Sequence, residues 1–349
     1  MPQIPTPDES PAERVSTREI DEPIFPLDWS TFKMQFPVRR PVILEGIARE
    51  GETVNINAPS KIGKSWLIYG MVLSFLTGTP WLGKFSARKG KVLIIDNELH
   101  PEELSYRIQF VAKRLEVSSK CMDRLDIVCL RGRLMDYKTL AMCLQIEDDY
   151  SAIFIDAHYR MLSEGVDENA SAGIRQAYNL IDGMAYGRSA MWMLVHHQSK
   201  GDQATKQVTD VGAGSGVQAR ACDAHLILRP QETHGAYVLE GDVRSFPPLE
   251  PMTVVWEDRI LRPAPHLDPK ALKTAQTANH QRKDEVTINQ MLAAWRQHGA
   301  LSASQMTRFV TGDVRRLTRL AEQMKQDGRV MSNPSGTYYV AKPTINVAS

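Results

Sequence analysis

Gly63-Lys64-Ser65 stands where a β-rich run gives way to an apolar helical one, in TVNINAPSKIGKSWLIYGMVLSF (53–75). A cation, a hydroxyl and backbone N–H groups at a helix N-terminus are the donors that bind polyphosphate oxygens. In that arrangement Lys64 reaches the β- and γ-phosphates of a nucleoside triphosphate, and the Ser65 hydroxyl completes the shell of a Mg2+ ion. Gly63 leaves room for close backbone approach. The expected ATP-binding segment is therefore Ala58, Pro59, Ser60, Lys61, Ile62, Gly63, Lys64, Ser65 and Trp66. Ala58 stands where the usual form of the loop has glycine.

Two further apolar runs end in acids, at the strand ends where an α/β sheet places its ligands. SAIFIDAHYRML puts Asp156 at the tip of a strand, where it holds Mg2+ opposite Ser65 or, alternatively, only caps a turn. KVLIIDNELHPEELSYRI ends in Asp96 and Glu98. Glu98 is the candidate base for orienting an attacking water, with Asp96 behind it; the other reading makes Glu98 part of the acidic entry to the next helix. A third run, AMWMLVHHQ, ends in His196-His197-Gln198. Neighbouring side chains on a strand face opposite ways, so a metal shared by the two histidines is not expected. His197 and Gln198 read instead as a γ-phosphate sensor, against the alternative of a histidine satisfied in the core.

The stretch from Ser199 to Gly216 is polar and glycine-rich, and its Lys200 and Lys206 make it the candidate DNA-contacting loop. The acidic SEGVDENASAG (163–173) is a second candidate loop. Arg220 in GVQARACD and Arg244 in LEGDVRSFPP are candidates for a cation supplied across a subunit boundary to the γ-phosphate; both also read as surface arginines.

These groups need a frame. Short apolar runs at 53–58, 91–96, 125–130, 151–156, 190–196, 224–229 and 236–241 alternate with helical stretches at 64–77, 101–116, 137–148, about 168–186 and about 215–222. Strand–helix alternation with near-continuous apolar strands predicts a mainly parallel sheet covered on both faces. Four parts are expected: a flexible, proline-rich, acidic arm over 1–35, an ATPase domain over 36–261, a linker over 262–283 and a small domain over 284–345. That last part reads as helix, short helix, helix, then two strands around Asn333-Pro334-Ser335-Gly336. Ten Lys+Arg face five Asp+Glu over 281–345, so it is basic although the chain of 349 residues nets only +1. Its third helix places Val314, Leu317, Ala321 and Met324 on one apolar face, leaving Arg315 and Arg319 to meet nucleic acid.

Composition narrows the classes. With 42% hydrophobic and 24% charged residues the chain is globular, and its near-neutral total excludes a chain-wide basic coat for nucleic acid. Cys121, Cys129, Cys143 and Cys222 form no C-x-x-C pair, so neither a disulfide framework nor a zinc ribbon is expected. No signal peptide and no membrane span are expected, and the cytoplasm is the expected compartment.

Taken in order, NAPSKIGKSW, VLIIDNELHPEEL, AIFIDAHYRML, MLVHHQSKG and DVGAGSGVQARACDAHLIL resemble the RecA-like ATPases. Within them they resemble the RepA-type replicative helicases of plasmids and mobile elements. The resemblance covers about 36–260 and implies a RecA-like P-loop NTPase core, a hexameric ring and ATP with Mg2+ at subunit interfaces. By match, Lys64 and Ser65 bind phosphate and Mg2+. Glu98 looks like the catalytic glutamate, and Asp156 like the strand-end aspartate of the second nucleotide motif. The HHQ segment is similar to the sensor motif, and Arg220 falls in the segment carrying the arginine finger, with Arg244 as a second trans-acting cation. The C-terminal part resembles a winged helix, a module that contacts DNA or docks proteins. The leading expectation is an ATP-driven helicase on single-stranded DNA, with replication-initiation proteins as possible partners. A non-translocating ATP switch and a recombinase-like filament former are the alternatives.

Overall fold

The computed structural model describes residues 25–59, 62–133, 135–146, 149–163, 171–186, 188–197 and 217–340, without the side chains of residues 171, 197 and 275–282. The chain splits into two compact units, Met1–Leu272 and Lys273–Ser349.

The first unit opens with a short helix, α1 (Trp29–Gln35), inside the segment expected to be an arm. Asp28 caps it, accepting from the N–H groups of Ser30 and Thr31 at 3.0 and 3.1 Å. Two short strands follow, β1 (Val42–Leu44) and β2 (Ala48–Arg49). The alternating part runs β3 (Thr53–Ala58), α2 (Lys64–Thr77), β4 (Lys91–Asp96), α3 (Pro101–Arg114), α4 (Ser119–Met122) and β5 (Leu125–Cys129). It continues with α5 (Tyr137–Cys143), β6 (Tyr150–Asp156), a 3-10 turn (His158–Met161), α6 (Ser171–Ala185), β7 (Met191–His197), α7 (Val217–Ala221) and β8 (Ala224–Pro230). The strands β9 (Ala236–Val243), β10 (Met252–Glu257) and β11 (Ile260–Pro263) close the order.

Among the described residues, nine strands form one sheet in the order β11-β10-β9-β8-β3-β7-β6-β4-β5. The six from β8 to β5 are parallel to their neighbours, and β9, β10 and β11 are added antiparallel. The fold is α/β with a mostly parallel central sheet. Alternation along each strand sorts side chains to two cores. Val54, Ile56, Val92, Ile94, Phe154 and Met193 lie in the one that holds α2 and α3. Leu93, Ile95, Ile153, Ile155, Trp192 and Leu194 lie in the other, with α5 and α6. α2 is apolar around most of its girth and buries nine residues besides Lys64, as a helix covered on several sides must. Because β3, β4, β6 and β7 are parallel, their carboxyl ends share one edge of the sheet.

Four strands of this unit were not anticipated: β1, β2, β10 and β11. The β10–β11 hairpin turns on Asp258 and Arg259, both left-handed with φ of 49° and 65°, as a two-residue hairpin of right-handed twist requires. α5 stops at Cys143, short of the expected 148. No helix among the described residues is long and apolar enough to cross a membrane.

In the second unit, α8 (Ala275–His298) begins inside the segment expected as linker. α9 (Ala303–Met306) carries a capping box between Ser302 and Gln305. α10 (Val314–Gln326) is capped by Asp313, and β12 (Met331–Ser332) pairs antiparallel with β13 (Tyr338–Tyr339). Met291, Trp295, Met306, Leu317, Leu320 and Met324 form its core. Val314 departs from expectation: at the first turn of α10 it is 44% exposed, and Leu320 supplies the fourth apolar contact of that helix.

Candidate active site

The loop after β3 turns into α2 at Gly63, whose φ of 97° is left-handed. A Cβ there would also come within 3.3 Å of the Trp256 ring and 3.4 Å of Trp66, so conformation and space both call for glycine. The Lys64 ammonium lies across the loop and donates to the carbonyls of Ala58 and Pro59, each at 3.3 Å. Burial lowers its pKa, and Asp156 and Glu98 work against that shift. The Ala58 methyl belongs to the core under α2, so the missing glycine does not fill the loop. Ile62 packs on the same core. Trp66 is held edge-on to Phe110 at 5.6 Å, with the guanidinium groups of Arg107 and Arg259 over its ring at 5.3 and 4.9 Å, as packing of the helix start. Ser60 and Lys61 lie outside the described residues.

The Ser65 hydroxyl donates to Asp156 Oδ2 at 2.8 Å, joining the start of α2 to the end of β6. Asp156 is buried, and burial pushes its carboxyl up to about 7, with Asp96 and Glu98 adding to the shift and Ser65 and Lys64 opposing it. Asp96 faces Asp156 in register. Its Oδ1 accepts from the N–H groups of Glu98 and Leu99 at 2.9 and 2.7 Å, while its Oδ2 has no hydrogen-bond partner among the described residues. Burial raises its pKa as well. Asp156 and Glu98 thus act on one lysine, and the two in-register acids Asp96 and Asp156 are both desolvated, a pairing that a divalent cation would relieve. No cluster of three or more His, Cys, Asp or Glu among the described residues holds a metal unaided. The donor set of one hydroxyl and one carboxylate suits Mg2+, which takes its other oxygens from phosphate and water. Glu98 is half-buried in the bend between β4 and α3, and its backbone carbonyl accepts from Arg131.

Behind this edge lies a buried polar network that the motifs did not reveal. Thr53, Asn55 and Asn57 alternate along β3 and are fully buried. Asn55 Oδ1 accepts from the Tyr178 hydroxyl at 2.8 Å and lies 3.2 Å from His196 Nε2. Asn55 Nδ2 donates to the Gln218 carbonyl on α7 at 3.1 Å, and Asn57 Nδ2 lies 3.4 Å from His225 Nε2. The His196 ring lies 4.3 Å from that of His158, whose Nδ1 shares a 2.7 Å hydrogen bond with the Tyr137 hydroxyl. Burial pulls His158 down to about 3, so it is neutral at ordinary pH. The sequence signal was there: asparagines at alternate positions of an otherwise apolar strand cost free energy unless bonded. The side chain of His197, and Gln198, Lys200 and Lys206, lie outside the described residues.

Arg220 and Arg244 stand at the other edge of the sheet. α7 leads into the amino end of β8, and β9 runs back to the same edge. Arg244 donates to the Arg220 carbonyl and pairs with Asp223 Oδ1 at 3.6 Å, while Asp223 Oδ2 accepts from Thr53 N–H at 2.9 Å. Arg244 is thus remote from the phosphate loop of its own chain. Asp182 lies nearby; burial pushes its carboxyl up to about 6, with Asp223 adding and Arg244 opposing. In the second unit Arg315 and Arg319 are both exposed, and Arg319, with Arg316, pairs with Asp284 of α8.

The model of the AAA domain family matches residues 17–203, more than half of the chain and both nucleotide motifs. The chain belongs to the AAA domain family. As an AAA domain protein with this α/β sheet, it is a P-loop nucleotide-binding ATPase. The crystal structure of the RadB recombinase is similar at 16% identity and a TM-score of 0.44, over 62% of this chain and 91% of that one. No curated protein matches the AAA domain chain described here.

Proposed function

We propose that the chain is an ATP-driven DNA motor, most simply a RepA-like replicative helicase of a plasmid, phage or mobile element. The observation that carries the reading is the 2.8 Å bond from Ser65 to Asp156, which sets two motifs 91 residues apart against one lysine at one sheet edge. Lys64 exchanges the Ala58 and Pro59 carbonyls for phosphate oxygens. Ser65 and Asp156 would hold Mg2+, which when bound neutralises charge on the β- and γ-phosphates. Glu98 orients water for attack on the γ-phosphate and takes up its proton. Arg220 of a neighbouring copy offsets charge on that phosphate, with Arg244 beside it. His197 and Gln198 report the phosphate to the loop that carries Lys200 and Lys206, which tracks single-stranded DNA. Arg315 offers a further phosphate contact from the second, winged-helix-like unit, and Arg319 would join it only by leaving Asp284. A ring of identical copies, most simply a hexamer in the cytoplasm, completes the proposal, with replication-initiation proteins as further partners.

The test is ATP turnover with and without single-stranded DNA, run beside a native mass measurement and an unwinding assay. Stimulated turnover by a closed oligomer that separates strands is the expected result. Nucleotide-dependent assembly without unwinding would support an ATP switch, and an open filament on single strands would support a recombinase-like role.

A further inference from the structure

Asn97 lies between the two acids at the end of β4, and both faces of its amide are used. Its Oδ1 accepts from the Ala157 N–H at 2.9 Å and its Nδ2 donates to the Ala157 carbonyl at 3.0 Å. Its own N–H donates to the Asp156 carbonyl at 2.9 Å, and its carbonyl accepts from Arg160 Nη1 at 3.0 Å. Four hydrogen bonds therefore tie this one residue to the segment that begins at Asp156.

The place matters because the ladder ends here. Asp96 and Asp156 are the last in-register pair of β4 and β6, and beyond them the two chains diverge into loops. Glu98 follows on one loop and Ala157 on the other. Asn97 and Ala157 are both buried, at 5% and 1% exposure, so water cannot replace the amide pairing. Asp96 Oδ1 fixes the start of the Glu98 loop within its own strand. Asn97 fixes it across to the strand of Asp156. An asparagine has the length, the donor and the acceptor to pair with both the N–H and the carbonyl of one residue. Alanine has neither group. Aspartate keeps the acceptor but turns a carboxylate oxygen onto the Ala157 carbonyl.

We propose that Asn97 is a positioning residue that holds Glu98 at its working distance from Asp156, by clamping both backbone groups of Ala157 with its side-chain amide. The inference rests on the ATPase reading above. Asn97 touches no reacting atom, because its amide is spent on Ala157. A shift of about 1 Å in a catalytic group lowers turnover by about 10²-fold.

The experiment uses the full chain and two variants, Asn97→Ala and Asn97→Asp, each alone, with Asn97→Ala also combined with Glu98→Gln. MgATP uptake is followed by tryptophan fluorescence, and turnover by phosphate release. Both single variants are expected to bind MgATP within about twofold of the unaltered chain and to lose roughly 10²-fold in kcat, the pattern of an interaction that matters only beyond binding. Adding Asn97→Ala to Glu98→Gln is expected to cost nothing more, because the residue acts through Glu98. Unchanged kcat in either single variant overturns the inference. So does loss of MgATP uptake in both variants, which would make Asn97 a support of the loop itself, and so does a full further loss in the double variant. If the unaltered chain takes up no MgATP, the nucleotide reading falls first, before any variant is compared, and this inference falls with it.

Discussion

At the carboxyl ends of the parallel strands Asp156 and Glu98 act on Lys64, with Asp96 beside Asp156; at the amino ends Arg220 and Arg244 stand with Asp182 and Asp223. The two edges are separated by the length of β3, six residues or about 20 Å, beyond the reach of an arginine side chain. One edge has the phosphate loop and, among the described residues, buried carboxylates beside its lysine. The other has arginines and no phosphate loop. The contrast teaches that, if the arginines serve a γ-phosphate, it is one bound to another copy. That placement is what the proposed assembly of copies rests on.

The widest break in this comparison comes from Lys64. Lys64→Ala is expected to bring ATP turnover to background while circular dichroism stays unchanged, because the lysine's hydrogen bonds to the Ala58 and Pro59 carbonyls tie down a loop and no strand or helix. Turnover at the normal rate would end the assignment of the carboxyl edge to phosphate. Next in size is Arg220→Ala, where a trans arginine is worth roughly 10³-fold or more in kcat. Arg220→Ala copies mixed with Glu98→Gln copies should regain activity, since some interfaces then pair an intact edge of each kind. No recovery at any ratio would separate the two edges functionally and leave Arg220 a surface residue.

Much of the carboxyl edge was legible in the sequence, and the reason is local. β3, β4 and α2 begin and end where the apolar runs at 53–58, 91–96 and 64–77 do, because a loop or turn punctuates each. The amino edge was not legible in the same way. Arg220 and Arg244 are 24 positions apart, and they meet only because β9 returns antiparallel beside β8. The polar network behind β3 was hidden for a related reason: Asn55 alone says nothing about Tyr178, His196 or Gln218, which come from three other elements. Asn97 was overlooked between two more conspicuous acids. The β10–β11 hairpin escaped notice because Asp258 and Arg259 take left-handed backbone without the glycine that marks such turns.

The carboxyl edge also leaves a mark on stability in the chain free of Mg2+ and nucleotide. Asp156 titrates near 7 in the folded chain and near the ordinary 3.8 once unfolded. As pH rises from about 4 to 7 the unfolded chain gives up this proton first, so stability falls across that window. His158 acts in reverse: with a folded pKa of about 3 against 6.5, it makes stability fall as pH drops below about 6.5. The two slopes oppose each other between about pH 4 and 6.5. Asp156→Asn removes one of them. It is expected to raise unfolding free energy at pH 8 by on the order of 2 kcal/mol and to leave a steeper loss on the acid side. Urea unfolding at several pH values checks this, and an unchanged profile would mean that the acid is not held out of water as its surroundings imply.

The smallest effect sharpens the amino edge. Arg244 is more than half exposed and its pair with Asp223 is long at 3.6 Å, so the ion pair itself is worth at most about 1 kcal/mol. Its second contact, to the Arg220 carbonyl, bears on the end of α7. If Arg244 steadies Arg220 rather than meeting phosphate, Arg244→Ala should lower kcat by about tenfold or less; a loss as large as that of Arg220→Ala would make Arg244 the trans cation itself. Stability supplies an independent reading of the same change. Asp182 already titrates near 6, and Arg244 is the group that holds it down. Without Arg244 its folded pKa rises further above the unfolded value, so the loss of stability that begins near pH 4 continues to higher pH. Arg244→Ala should therefore cost more at pH 7.5 than at pH 5. An equal cost at both would mean that Arg244 is not close enough to Asp182 to shape this edge, and Arg220 would then carry the comparison alone.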